Sequence, residues 1–236
     1  MLKPFTCRLY RGCLLACVAT QLFGCASGST PLADVLSAVV SDQLGTGIEP
    51  TLSAKPNPAY RYLRVEVDGR APALLVLGYV DAHPQGEIEV WYTAKREVIK
   101  TQNGRIVGTA GLEVDWRAVR FPTAPPPWAT AQEARYQRSR DEMPGHRYAI
   151  TDQIQLKPWL GMPPLTLPAA LNSGQAKNSY RWFSETTLNA SEQPLPPSWF
   201  AWGLYQGQPT VVYSVQCLSP TFCLKLQRWP AQESTS

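Results

Sequence analysis

From Tyr60 to Phe121 the apolar positions recur with period two, the signature of strands with one buried face. Leu63, Val65 and Val67 alternate with Tyr62, Arg64 and Glu66. Asp68-Gly69 supplies a hairpin turn,. Ala73 to Val80 is nearly continuously apolar, as a strand covered on both faces would be,. After a break at Pro84-Gln85-Gly86, Ile88, Val90 and Tyr92 alternate with Glu87, Glu89 and Trp91, which places Trp91 on the outward face. Val98-Ile99 and Ile106-Val107 flank Asn103-Gly104, the strongest short-range hairpin signal,. Leu112, Val114 and Trp116 alternate with Glu113, Asp115 and Arg117.

The pattern changes over 122–148. Pro125-Pro126-Pro127 breaks the chain, and Ala129 to Arg140 is polar enough to predict an exposed helix carrying Arg135, Arg138 and Arg140. Strands resume at Tyr148–Leu156 and Tyr180–Thr186, separated by a proline-rich stretch. A last sheet follows: Trp199–Tyr205, a Gln206-Gly207 turn, Thr210–Gln216, a loop from Cys217 to Cys223, and Leu224–Trp229. Many strands joined by short turns, with no fixed repeat, predict a mainly β protein. The expected form is a single antiparallel meander curled into a barrel, half-barrel or strongly curled sheet.

Helical spacing appears early in the chain. Thr30-Pro31 reads as a cap followed by proline in the first turn. Leu32, Val35, Leu36, Val39 and Val40 then form one face, and Gly45 ends the run. The expectation is a short N-terminal helix packed on the β domain.

Ahead of it lies an export signal. Lys3, Arg8 and Arg11 precede an apolar run from about Cys13 to Gly24, and no acidic residue intervenes. Leu22-Phe23-Gly24-Cys25 closes the run as a lipobox, so residues 1–24 read as a lipoprotein signal peptide and Cys25 as the lipidated first residue of the mature chain,. Leu14-Leu15-Ala16-Cys17 is a rival lipobox, but it leaves an apolar region shorter than the roughly 7–15 residues such signals use,. Ala26 follows Cys25. Enteric lipoproteins with aspartate there stay in the inner membrane, and by that resemblance the outer membrane is the destination, with the protein facing the periplasm. Residues 25–30 form a polar tether, and residues 31–236 a single β-rich domain.

The signal changes the reading of charge and cysteine. It holds three of the 22 basic residues and none of the 18 acidic ones, so the mature chain is close to neutral and lacks the basic stripe that nucleic-acid binding requires,. Cys7, Cys13 and Cys17 leave with the signal, and Cys25 takes lipid. Cys217 and Cys223 remain, an even pair for an oxidising compartment,. A disulfide between them would staple a hairpin end and contribute about 2 kcal/mol. The alternative is two reduced, packed thiols. No metal or other cofactor is expected, since two thiols lack partners for a metal site.

Candidate chemistry is sparse. His83 and His146 each sit beside a turn and read as solvated loop residues. No nucleophile elbow, zinc-protease helix or phosphate loop occurs,. Glu87 and Glu89 share one strand face about 6.8 Å apart, within glycosidase range. Two acids on a polar strand face are nevertheless the ordinary solvated arrangement. The aromatics are better candidates for binding. Trp91, Trp199, Phe200 and Trp202 offer flat apolar area suited to sugar rings or partner proteins, against the alternative that they fill a curled sheet,.

Four segments carry a family resemblance: Tyr62-Leu63-Arg64-Val65, Ala73-Leu74-Leu75-Val76-Leu77-Gly78, Glu89-Val90-Trp91-Tyr92, and Asn103-Gly104-Arg105-Ile106-Val107-Gly108-Thr109-Ala110-Gly111-Leu112. Behind a lipoprotein signal, they resemble the YjbF-type lipoproteins of group 4 capsule and exopolysaccharide operons. In that comparison the Arg135 segment looks like a variable insertion. The resemblance implies an outer-membrane lipoprotein with a barrel-like domain, acting beside a periplasmic secretion protein and an outer-membrane β-barrel in polysaccharide export. It carries over no catalytic residue. The leading expectation is a non-enzymatic accessory factor that binds glycan or an export partner. The alternatives are a lipid or lipoprotein carrier with an apolar cavity, and a glycan hydrolase built on Glu87 and Glu89.

Overall fold

The computed structural model describes residues 57–172, 179–188 and 194–230. Cys17, Cys25, the tether and the helix expected after Pro31 lie outside them.

Twelve strands follow in order: β1 (Tyr62–Val67), β2 (Ala73–Asp81), β3 (Ile88–Tyr92), β4 (Val98–Gln102), β5 (Arg105–Ala110), β6 (Asp115–Arg120), β7 (Ala134–Met143), β8 (Arg147–Trp159), β9 (Arg181–Thr187), β10 (Ser198–Tyr205), β11 (Gln208–Ser219) and β12 (Phe222–Trp229). A single-turn helix, α1 (Ala169–Asn172), precedes β9. Each strand pairs antiparallel with its sequence neighbour except across β5 and β6, and β12 returns to pair with β1. The meander is therefore almost closed into a barrel, with one seam between β5 and β6.

Side chains close that seam without ladder pairing. Asp115 accepts hydrogen bonds from the Thr109 hydroxyl at 2.9 Å, the Gly111 N–H at 3.0 Å and the Leu112 N–H at 3.2 Å. The Trp116 N–H donates to Thr109 Oγ1 at 2.9 Å. Two edge strands are thus covered by local bonds, which blunts the hazard of an open sheet edge.

Opposite walls of the barrel touch. The Ile106 N–H donates to Gln216 Oε1 on β11, and Gln216 Nε2 donates to the Gly104 carbonyl, both at 2.9 Å. A methyl group on Gly104 would sit 2.4 Å from Val211 Cβ, so the Asn103-Gly104 turn is laid directly on β11. Both turn residues have positive φ, 49° and 78°, as a two-residue hairpin loop demands,. Trp116 Nε1 donates to the Leu218 carbonyl at 3.0 Å, again across the interior. The main core fills the remaining space with Leu63, Leu75, Trp91, Ile99, Phe183, Phe200, Leu224 and Leu226 among others. A second apolar cluster joins Trp182, Trp199 and Tyr213 to Leu171 of α1, with Leu165 and Leu167 packed against it. The proline-rich stretch before β9 thus covers one flank of β9–β11.

Three expectations are corrected here. Residues Ala134–Met143 form a strand rather than part of an exposed helix, and Trp128 and Ala131 ahead of it are buried. The strand looks polar because the positions in phase with Tyr136 carry Arg138, Arg140 and Glu142, which pair with other charges under cover. It pairs with β8 from Ala134 to Glu142 and with β6 from Ser139 to Met143, so the Arg135 segment is part of the wall. The outward placing of Trp91 is also corrected, because both faces of β3 are covered. Trp91 is fully buried in the main core, in phase with Glu89. Finally, β2 is buried on both faces only at Leu75 and Val76, while Tyr79 and Val80 are exposed.

Because the strands alternate in direction, the loops divide between two ends of the barrel. The chain enters β1 at one end, which also holds the β2–β3, β4–β5, β8–β9 and β10–β11 connections. The far end holds the β1–β2, β3–β4, β7–β8 and β11–β12 turns, the last closed by the Cys217–Cys223 disulfide.

Candidate functional site

Three tryptophans inside the wall are each faced by an arginine that a carboxylate holds in place. Arg228 lies 5.1 Å from the Trp91 ring centre, and its two terminal nitrogens donate to Glu89 at 3.0 and 2.6 Å. Glu89 also pairs with Arg61 and accepts the Thr101 hydroxyl at 3.2 Å. Thr101 in turn accepts the Trp91 indole N–H at 3.0 Å. Arg138 and Arg140 lie 4.5 and 5.1 Å from Trp116 and donate to Asp152 at 2.7 and 2.8 Å. Glu142 bridges Arg140 and Arg147.

The third arrangement is the most buried. Arg105 of β5 meets Glu185 of β9, 80 residues away: Nε donates to Oε1 at 2.9 Å, and Nη2 makes an ion-pair contact with the same oxygen at 2.7 Å. The side chains are 6% and 5% exposed. The guanidinium lies 3.8 Å from the Trp128 ring centre, close enough for a desolvated cation–π contact,. Burial is the largest influence on Arg105 and works against its charge, but Glu185 and Tyr136 together leave the pKa of the guanidinium raised. Beside it, burial and then Glu185 hold the Tyr136 phenol well above its ordinary range. Trp128 is fixed from the other side by its indole N–H, which donates to the Asn103 carbonyl at 2.7 Å.

These contacts decide how the sequence candidates sit. Glu89 is held by two arginines, while Glu87 is exposed and precedes β3, so the two acids do not face each other across a cleft. The His83 ring Nδ1 takes hydrogen bonds from the Gln85 N–H at 3.2 Å and Gln102 Nε2 at 2.8 Å, shaping the β2–β3 turn. His146 is exposed in a turn, at φ 52°. Among the described residues no group of three His, Cys, Asp or Glu side chains is placed to hold a metal ion.

The four aromatic candidates are wall packing in this structure. Trp91 lies in the core, Phe200 stacks 4.9 Å from Trp128, and Trp199 sits in the second cluster, 4.9 Å from Trp159. Trp202 is half-buried, 5.6 Å below Arg181. The structure does not bring them together on one surface. Sequence reasoning missed the rings that are exposed, Trp159 at 40%, Tyr79 at 41% and Tyr148 at 61%. It also missed the Arg105–Glu185 pair. The available signal was phase: Glu185 follows Phe183 by two residues and so shares its inward face.

Together these features define a filled antiparallel barrel whose buried arginines are held by carboxylates. The chain belongs to the YjbF family, group 4 capsule polysaccharide lipoproteins (gfcB, YjbF), whose sequence profile matches residues 36–158. No curated protein sequence matches the chain. Among solved structures, it resembles the crystal structure of the hypothetical lipoprotein YmcC from Escherichia coli K12, at 16% identity and a TM-score of 0.59. That likeness covers 88% of this chain and all of the other, and it concerns the fold.

Proposed function

We propose that the protein is a non-enzymatic accessory factor of capsule or exopolysaccharide secretion. It is held at the outer membrane through lipid on Cys25, faces the periplasm, and docks on the export machinery. The observation that carries this reading is the collapsed interior. With Gly104 against Val211 and Trp116 bonded to Leu218, opposite walls meet where an acyl carrier needs a cavity. Among the described residues, a pocket beside α1 and another beside Gly104 each offer only about 10 Å³, at most the space for one water,. The working part is then the outer surface. Family membership supports the capsule context, and the lipobox supports the anchor.

Docking on a protein is favoured over a glycan platform at Trp91, Trp199, Phe200 and Trp202, because three of these rings are buried and the fourth is half-buried. Deleting the gene is expected to lower surface or secreted polysaccharide severalfold while precursor synthesis continues. Unchanged export would overturn the proposal.

A further inference from the structure

Seven large hydrophobic side chains are exposed among the described residues, and five of them lie at one end of the barrel. Tyr79 and Val80 close β2, Trp159 and Leu160 form the tip beyond β8, and Leu204 closes β10. This is also the end at which the described chain enters β1, and Cys25 precedes β1 in the sequence. Only Tyr148 and Leu188 lie at the far end, where Arg70–Glu113, Lys225–Asp68 and Arg147–Glu142 make the surface charged.

The tip is built rather than ragged. Gly161, at φ 79°, turns the chain and leaves Leu160 96% exposed. The Trp159 indole N–H donates to the Met162 carbonyl at 3.2 Å, and its ring packs edge-on against Trp199. A pinned tryptophan beside a bare leucine matches the chemistry of residues that sit at the headgroup–acyl boundary, and Lys157 nearby is paired with Glu133,. Tyr60, Tyr62, Tyr205 and Trp229 lie at the same end, the first two in edge contact and Tyr205 donating to the Trp229 carbonyl at 2.9 Å.

We infer that this end faces the phospholipid surface and that Trp159 and Leu160 seat in the headgroup–acyl boundary. The far end is thereby left for protein partners. The inference rests on the anchor at Cys25. Once the chain is tethered, its high effective concentration at the bilayer lets a contact too weak to recruit a free protein fix its orientation.

The test uses the full lipidated chain in vesicles of phosphatidylethanolamine and phosphatidylglycerol. An environment-sensitive fluorophore is placed on Leu160→Cys or, for comparison, on Leu188→Cys. At position 160 the expected result is a blue-shifted emission, quenched severalfold more by nitroxide lipids than at position 188 and less by aqueous iodide. Trp159→Phe without a label is expected to reduce the quenching of total tryptophan emission by the same lipids. Equal water exposure at both positions overturns the inference. So does a probe at 160 shielded from iodide and nitroxide alike, which would indicate a protein cover. Flotation separates the two failures. A chain that does not float with the vesicles refutes the anchor and with it this orientation, while a chain that floats with position 160 in water refutes the orientation alone.

Discussion

Replacing Glu185 with glutamine keeps the shape of the side chain and removes its charge, leaving the Arg105 guanidinium in the barrel against a neutral amide. Both side chains are almost fully covered, so water cannot compensate. Breaking a buried ion pair from one side costs about 3–5 kcal/mol. Glutamine can still accept the Arg105 Nε–H, whose bond is 2.9 Å, so the loss falls near the lower limit, about 3 kcal/mol,. With a urea dependence of about 1–3 kcal/mol per molar, the unfolding midpoint drops by roughly 1–3 M. Unfolding followed by tryptophan emission is the assay. The paired change Arg105→Met with Glu185→Leu is expected to recover most of the loss, because the long methionine chain still covers the Trp128 face,. A drop worth less than about 1 kcal/mol for Glu185→Gln, or a pair as unstable as the single variant, would refute the reasoning.

Other expectations follow from the same contacts. Among the described residues the buried Tyr213 hydroxyl has no hydrogen-bond partner, so Tyr213→Phe should raise stability by about 1 kcal/mol at neutral pH,. Burial, and then Glu66, raises the Tyr213 pKa, and burial with the Tyr79 hydrogen bond pushes Tyr92 up to about 12. The unfolded chain therefore ionises first, and the stability these groups provide is complete below about pH 10 and falls as pH rises above it. Urea midpoints at neutral and alkaline pH should show that fall, and Tyr213→Phe should lessen it. Gly104→Ala should cost about 2–4 kcal/mol by thermal or urea unfolding, since it adds a clash with Val211 to an unfavourable φ, whereas Gly69→Ala, with φ 77° and open space, should cost about 1 kcal/mol,. Removing the disulfide with Cys217→Ala and Cys223→Ala should cost about 2 kcal/mol and leave the far-ultraviolet spectrum of the barrel unchanged,.

Where each strand buries one apolar face, its place in the meander was legible from period-two alternation, and the Asp68-Gly69 and Asn103-Gly104 hairpins from turn chemistry. The strand β7 was not, because its inward positions Arg138, Arg140 and Glu142 are charged and pair with Asp152 and Arg147 from another strand. Alternation alone also cannot orient β3, whose two faces are both covered. Val90 and Trp91 are each fully buried, and the partner that draws Glu89 inward, Arg228, lies 139 residues away. The inward phase of Glu185 was readable from Phe183, but its partner was not: Arg105 lies 80 residues away and meets it only once the sheet is closed. The exposed tip at Leu160 follows a strand predicted to end at Leu156, and its significance depends on which end of the barrel the chain enters.

Complementation reads out whether the protein works from the membrane. In a strain lacking the gene, the native chain and a Cys25→Ser chain exported at equal amount are compared for surface polysaccharide. The native chain is expected to restore it, and the unanchored one severalfold less, with both equally folded. Equal restoration by the two would contradict a role held at the membrane.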